Sequence, residues 1–203
     1  MAEKEEDRPT EETANPNTNA DRNHPIGSPN STGSGEVGEG GETRWEDLPL
    51  DPQHVDKLKS SGISPLMAEL RGYETVHDPR RLDALGFAKE VCHPDHAPGL
   101  LIPQLDARGS VWGYQYRPDN PRTNAKGKPI KYESQTRGEG RRRGLDVPPL
   151  CGGEIGDPKE EKWIVEGTLK ADCLAERGIC AISVSGVWNW RGTNRRGGKG
   201  GAA

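Results

Sequence analysis

The stretch that decides the fold is residues 161–190, which read EKWIVEGTLKADCLAERGICAISVSGVWNW. The apolar run 163–165 is too short for a helix and is typical of a buried strand. Thr168 is a favoured helix N-cap residue, and residues 169–177 after it are predicted to be helical. A second short strand follows over residues 180–184. This order predicts a βαβ unit, in which two parallel strands are joined by a right-handed crossover.

The predicted helix carries an apolar stripe and an end signal. Leu169, Cys173 and Leu174 recur at helical spacing, so this stripe is expected to face the core. Arg177 followed by Gly178 is the expected order of a cation in the last turn and a glycine just past it. The helix is therefore predicted to end at this glycine.

Glu166 stands where the first strand turns into the helix. Ligands of open α/β sheets bind outside the carboxyl ends of the strands, and the positive end of the following helix favours an ionised carboxylate there. Gly167 permits close approach of backbone or ligand. These features favour a site role for Glu166. The alternative, a solvated turn residue, stays equally open from the spacing alone.

Three motifs carry a family resemblance: IVEGTLKAD, GVWNWRG and the upstream YRPDNPR with GKPIKYE. The first resembles the opening motif of a Toprim domain, a module shared by topoisomerases, bacterial primases and related nucleases. The version ending in SGVWNWRG is similar to a domain of unknown function in phage and plasmid replication proteins. The resemblance spans about residues 48–190. It implies that Glu166 is a general acid or base in phosphodiester chemistry, with magnesium held by an Asp-x-Asp pair on a later strand.

The chain departs from this family in its carboxylates. No Asp-x-Asp occurs anywhere in it, and after Glu166 the only acidic residues are Asp172 and Glu176, both on the predicted helix. We therefore expect an incomplete Toprim-like unit, the N-terminal portion of a longer replication protein, which alone binds no metal and is inactive. Mg²⁺ is expected for the complete family domain only.

Composition limits the function classes. Of 203 residues, 30% are hydrophobic, with one Phe, 27 Gly and 17 Pro, which leaves little for a large core. Four irregularly spaced Cys indicate reduced thiols rather than a disulfide framework. No apolar run approaches the roughly 18 residues of a membrane span, and the N-terminus is too acidic for a signal peptide. A cytoplasmic protein without a membrane partner is predicted.

The predicted fold class is α+β, with five segments along the chain. Residues 1–46 form an acidic leader whose scarcity of apolar residues predicts disorder, and residues 191–203 form a disordered tail. Between them we expect a small helical region over 47–98, an antiparallel β region with basic loops over 99–150, and the partial Toprim-like βαβ unit over 151–190. Most of the excess negative charge, within a formal net charge of −4, lies in the leader.

The helical region contains three helix starts. Asp51-Pro52 and Ser64-Pro65 each place an N-cap residue before a proline at the first helical position, and a third helix is predicted over residues 79–85. Val55 and Leu58 lie on one face of the first helix. No chemistry is visible in this region, so packing is its expected role.

Residues 92–96, Cys-His-Pro-Asp-His, invite a metal interpretation. Zinc sites usually combine two ligand pairs separated by a longer loop. These candidates are crowded together with a proline between the histidines, no second Cys/His cluster exists, and Cys151 stands alone. A polar loop is the favoured interpretation, with zinc as the alternative.

From residue 99 onward the residue pattern predicts β-strands. Residues 100–105 and 111–117 flank a four-residue, glycine-bearing turn and predict a hairpin. Residues 128–134 predict a third strand, with Ile130 and Tyr132 on one face.

The second strand of the hairpin carries three aromatic side chains. Trp112, Tyr114 and Tyr116 alternate onto one face, and such a face can stack unpaired bases. Because other large apolar residues are scarce in this chain, a core role is the favoured interpretation of the three.

Cations cluster between and after these strands. Pro and Gly are interleaved with them, so they are predicted to lie in loops, and flexible basic loops suit phosphate contacts, which dominate nucleic-acid affinity. We favour nucleic-acid contact over ordinary surface charge. Near the start of the predicted helix, Lys170 is a further candidate phosphate contact. The candidates of the β region are Arg117, Arg122, Lys131, Arg141, Arg142 and Arg143.

Two functions stay open from the sequence. The first is a fragment of a Toprim-containing DNA replication protein, of primase or helicase-associated type, in which Glu166 is the acid/base group. The second is a non-catalytic module that holds single-stranded nucleic acid or a helicase through the basic β region and the Trp188/Trp190 segment. A core role is the favoured interpretation of these two tryptophans. Single-stranded DNA is the favoured nucleic-acid partner.

Overall fold

The computed structural model describes residues 42–136 and 144–184. They form an α+β fold, as predicted, in which a helical region precedes a four-stranded antiparallel sheet and a parallel βαβ unit follows. Arg141, Arg142, Arg143, Trp188 and Trp190 lie outside the described residues, as do the tail and all of the leader up to residue 41. Within the described residues, no helix is both long and apolar enough to cross a membrane.

The helical region contains the three predicted helices: α1 (Pro52–Ser60), α2 (Pro65–Arg71) and α3 (Pro79–Ala84). Each begins with a proline, whose fixed φ suits the first helical position. The Ser64 hydroxyl caps α2 by accepting the Met67 N–H at 3.1 Å. Asp51 stands at the N-cap of α1 but makes no side-chain cap bond there. The predicted helix starts are therefore confirmed, although α1 lacks a side-chain cap hydrogen bond.

The antiparallel sheet has the order β1-β2-β3-β4, with strands β1 (Glu74–Val76), β2 (Gly99–Leu105), β3 (Val111–Pro118) and β4 (Glu133–Ser134). The predicted hairpin is β2 and β3, whose turn contains Gly109 at φ +77°. The predicted third strand is shorter than expected. Asn124 donates its N–H to the Lys128 carbonyl at 2.8 Å, so this segment folds on itself instead of extending the strand.

The sheet is covered on both faces, and β2 is buried along its whole length. Leu100 and Ile102 belong to a cluster formed with α1, α2 and α4, whereas Leu101 belongs to a second cluster on the opposite face, near α3. Tyr116 lies in the second cluster, fully buried and edge-on to Phe87 at 6.2 Å between ring centroids. The core role of this aromatic is therefore confirmed, and it presents no ring to a base.

The βαβ unit consists of β5 (Trp163–Glu166), α4 (Thr168–Ala175) and β6 (Ala181–Val184), with β5 and β6 parallel as predicted. Gly178, at φ +71°, follows the helix end. Two details of the prediction are wrong. Gly167 occupies the N-cap position, because the Thr168 hydroxyl faces the interior, 3.4 Å from the Ser183 hydroxyl. The apolar run of β5 is not buried.

Exposure of β5 follows from its few neighbours. Trp163 and Ile164 are 49% and 67% exposed. In the described part of the chain β5 pairs with β6 alone, and a two-stranded sheet with one helix has too little cover for both faces.

Residues 146 and 147 connect the two sheets through backbone hydrogen bonds. Asp146 and Ser183 exchange both backbone hydrogen bonds, at 3.1 and 2.8 Å, and Val147 donates its N–H to the Leu105 carbonyl at 2.9 Å. The end of β2 is thereby connected to β6. At the start of the described chain, Trp45, which the prediction placed in the leader, packs against the first cluster.

Candidate nucleic-acid interface

A buried ionic network joins α2 to α4. The Arg71 guanidinium donates to both carboxylate oxygens of Asp172 and to Asp146. The Tyr73 hydroxyl donates to Asp172 Oδ2 at 2.7 Å, and the Ser183 hydroxyl donates to Asp146 Oδ2 at 3.0 Å. All five side chains are buried. Since buried charges are stable only when they are paired and hydrogen-bonded, this network fixes α4 against α2.

Burial and pairing oppose each other in the network. Burial raises the pKa of Asp172, and the Arg71 charge acts against that rise. For Arg71 itself burial favours the neutral form, but the two carboxylates outweigh it and hold its pKa above the ordinary value. Burial, followed by the Asp172 charge, raises the pKa of Tyr73. The network is therefore a structural element that solvent does not reach.

Sequence reasoning missed this network. The predicted apolar stripe of α4 was Leu169, Cys173 and Leu174, but the helix buries Asp172 and its small neighbours, while the last two of the stripe are only half-buried. A carboxylate three residues from Leu169 on a helix is a weak sequence signal for a buried ion pair. Its neutralising partner, Arg71, lies 101 residues away in the chain, where local pattern analysis does not reach.

A cleft of about 1040 Å³ lies at the carboxyl end of β5. Its walls are the end of α1, the β3–β4 part of the antiparallel sheet, and the turn from β5 into α4. The charged side chains of its lining are Lys57, Lys131, Glu166 and Lys170. The structure thus brings together three of the predicted site residues, which are far apart in the sequence, and adds Lys57, which the sequence did not indicate.

Glu166 is part of the lining of this cleft. It is the last residue of β5 and is exposed. Gly167 after it has φ +95°, and a Cβ built on it would meet no atom within 4 Å. The backbone conformation needs glycine, and the open space beside it lets a ligand approach the start of α4.

The three cleft lysines have no ion-pair partner among the described residues. Two cations outside the lining are paired instead: Arg122 with Glu133, and Lys89 with Asp83. Pairing neutralises the field that a cation offers to a ligand, so the cleft holds cations whose charge is available. An array of this kind suits the phosphates of a nucleic acid.

The remaining predicted cations are placed differently. Arg122 makes a bidentate ion pair with Glu133, at 2.6 and 3.0 Å. This pair connects the basic loop to β4. Arg117 lies on β3 two residues from Gln115, a cleft-lining residue, so both are on the same face of the strand. It is therefore next to the cleft rather than in its lining.

The rest of the lining is apolar or aromatic. Val165, Leu174 and Val184 contribute aliphatic surface, and Tyr132, which is 42% exposed, contributes an aromatic ring. Of the predicted aromatic face of β3, Tyr116 is buried and Trp112 and Tyr114 are half-buried, and none of the three lines the cleft, so the ring that the cleft presents comes from the neighbouring segment. An aromatic ring beside unpaired cations is the combination that binds bases and phosphates of single strands.

The described residues do not supply the metal ligands that the Toprim resemblance implies. Glu166 is the single carboxylate of the cleft lining, and residues 42–136 and 144–184 contain no group of three or more His, Cys, Asp or Glu side chains that could hold a metal ion. In the 92–96 segment, His93 accepts the Asp95 N–H at 3.3 Å, and His96 donates to the Asn120 carbonyl at 2.9 Å. These side chains make local polar contacts.

Comparison with known proteins gives two matches among solved structures. No protein-family model matches the chain, and no curated protein matches it. The chain is similar to the Aquifex aeolicus primase (zinc-binding and RNA polymerase domains), with 17% identity and a TM-score of 0.49 over 68% of this chain and 38% of that one. It is also similar to the DnaG catalytic core, with 18% identity and a TM-score of 0.44 over 68% of this chain and 49% of that one. The chain thus spans less than half the length of either structure.

Proposed function

We propose that this chain is the nucleic-acid-binding portion of a primase-like DNA replication protein of phage or plasmid type, and that single-stranded DNA lies in the cleft. One observation carries the proposal. Lys131, Lys170 and Glu166, which come from separate parts of the chain, line the same cleft, and both lysines lack an ion-pair partner among the described residues.

The chemistry of the lining supports a single strand over a duplex. Lysine ammonium groups contact phosphates of either form. The apolar lining and the Tyr132 ring have partners only in a strand whose bases are unstacked and accessible, because a duplex turns its base faces inward. A cleft with both kinds of surface therefore favours unpaired DNA. Arg141, Arg142 and Arg143, which lie outside the described residues, are proposed as further DNA contacts from the sequence alone.

Glu166 is the proposed acid/base group of the same site. It ends a parallel strand at the start of a helix, the position at which α/β sheets bind ligands, and the motif around it resembles the Toprim motif. Glu166 is the single carboxylate of the cleft lining, and the described residues contain no group of three or more His, Cys, Asp or Glu side chains that could hold a metal ion. We therefore expect this chain alone to bind DNA without catalysing a reaction on it.

Anisotropy titrations of the purified chain with a labelled oligothymidylate, across a salt series, test the proposal. Lys131→Ala/Lys170→Ala should lower the slope of log affinity against log salt by about 1.4, at about 0.7 for each lost contact. The matched control, Lys89→Ala/Lys159→Ala, removes the same charge outside the cleft lining and should change neither slope nor affinity comparably. Equal effects of the two double variants, or tighter binding of a duplex, would contradict the proposal.

A further inference from the structure

The end of α1 belongs to the cleft, although its sequence indicated packing alone. Lys57 lies in the last turn of α1 and Ser61 follows the helix, and both line the cleft with Lys131 and Lys170. We infer that this turn is a third phosphate-binding wall, with Lys57 as the contacting cation for the backbone of a single-stranded nucleic acid. The inference rests on the proposed function and extends it to a region outside the Toprim-like motifs.

The position of this wall is set by close packing on α4. Gly62, directly after the turn, has φ +74°, and a Cβ on it would lie 3.0 Å from both Cys173 Sγ and Arg177 Nη2. The Ser64 N–H donates to Glu176 Oε1 at 2.9 Å. These contacts join the α1–α2 turn to the helix that carries Lys170. The backbone segments that carry the two lysines are therefore fixed on neighbouring walls before any ligand binds, which lowers the entropic cost of binding.

Helix capping does not use the Lys57 side chain. Lysines near helix C-termini often serve the helix dipole, which is the ordinary explanation for one here. The Lys57 carbonyl, however, accepts hydrogen bonds from the hydroxyls of Ser60 and Ser61, each at 2.9 Å. The same carbonyl also accepts the backbone N–H of Ser61 at 3.1 Å, so the Lys57 ammonium group is not needed there, and it has no ion-pair partner among the described residues.

Lys59, in the same turn, provides the contrast. Its ammonium group lies over the Trp45 ring, 5.6 Å from the centroid, and it does not line the cleft. One lysine of the turn therefore has a partner within the fold, and the other faces the cleft. Because both carry the same charge on the same short helix, their difference isolates the effect of position from that of net charge.

The salt series with labelled oligothymidylate tests the inference with single variants. Lys57→Ala should lower the slope by about 0.7 and the affinity about fivefold at about 0.1 M salt, whereas Lys59→Ala should leave the slope unchanged. Thermal unfolding of both variants verifies that each is folded at the assay temperature.

The outcomes separate the inference from the function on which it rests. If Lys57→Ala and Lys59→Ala behave alike while Lys131→Ala/Lys170→Ala still weakens binding, the third wall is refuted and the proposed function stands. If the double variant has no effect, or the unmodified chain does not bind the oligonucleotide, the proposed function fails and the inference fails with it.

Discussion

The buried network and the cleft contain the same kinds of charge in opposite circumstances. In the network, Arg71 is enclosed with Asp172 and Asp146, and its guanidinium donates to both carboxylates and to the Pro103 carbonyl. In the cleft, Lys131 and Lys170 are exposed and unpaired within the described chain. The contrast teaches which charges stabilise the fold and which are available to a ligand. It also separates two kinds of variant, those that should change stability and those that should change binding.

Removing one partner of the network should have the largest effect. Asp172→Ala leaves the Arg71 guanidinium buried with one carboxylate fewer, and breaking a buried pair in this way costs about 3–5 kcal/mol. Denaturant unfolding measures the loss. As a control, Lys89→Ala removes an exposed ion pair with Asp83, which is 2.6 Å long, and should leave the unfolding midpoint almost unchanged because solvent screens such a pair. Similar losses in the two variants would show that the network does not stabilise the fold.

The junction between α1 and α4 should be the next most sensitive feature. Gly62→Ala and Gly86→Ala both place a side chain at positive φ, +74° and +82°, which costs about 1–2 kcal/mol. Only the first also crowds Cys173 and Arg177, because a Cβ on Gly86 would meet nothing within 4 Å. Gly62→Ala should therefore be the more destabilised of the two, by up to about 1 kcal/mol. Equal unfolding free energies would mean that the turn is not packed on α4 as described.

Raising the pH above about 10 should lower the free energy of unfolding. Burial raises the pKa of Tyr73 and of Tyr116 above the ordinary value. An unfolded tyrosine loses its proton near pH 10, while these two retain theirs in the fold, so the stabilising effect is complete below about pH 10 and is lost above it. Each tyrosine contributes a slope of up to about 1.4 kcal/mol per pH unit.

Urea unfolding between pH 8 and 12 measures this slope. Tyr116→Phe removes the hydroxyl that donates to the His96 carbonyl at 2.8 Å, and it should make the alkaline decline shallower even though the variant is less stable at neutral pH. An unchanged slope would show that Tyr116 titrates normally in the folded protein.

Local signals predicted most of the secondary structure. The prolines that begin α1, α2 and α3 and the glycine-bearing turn between β2 and β3 act within a few residues, so the sequence alone located these elements. Strand β1 was missed because Glu74–Val76 is too short for a periodic pattern and is defined by its pairing with β2. The exposure of Ile164 was missed because burial depends on the neighbours of a strand, which composition does not specify.

The candidate site was only partly predictable for the same reason. Glu166 was found because its signal is local: a strand end, a glycine and a helix start. Its proximity to Lys131 depends on how the βαβ unit is attached to the antiparallel sheet, through the backbone pairing of Asp146 with Ser183. Lys57 had no local signal, since a lysine in the last turn of a helix is ordinary.

The most direct measurement compares stability and binding in one variant. Lys57→Ala/Lys131→Ala/Lys170→Ala should lower the salt slope of oligothymidylate binding by about 2, with a melting temperature within about 4 °C of the unmodified chain, or roughly 1 kcal/mol. The control, Lys59→Ala/Lys89→Ala/Lys159→Ala, loses the same charge outside the cleft and should retain the slope. A triple cleft variant that keeps its slope, or that loses binding only because it unfolds, would contradict the assignment of these lysines to a ligand.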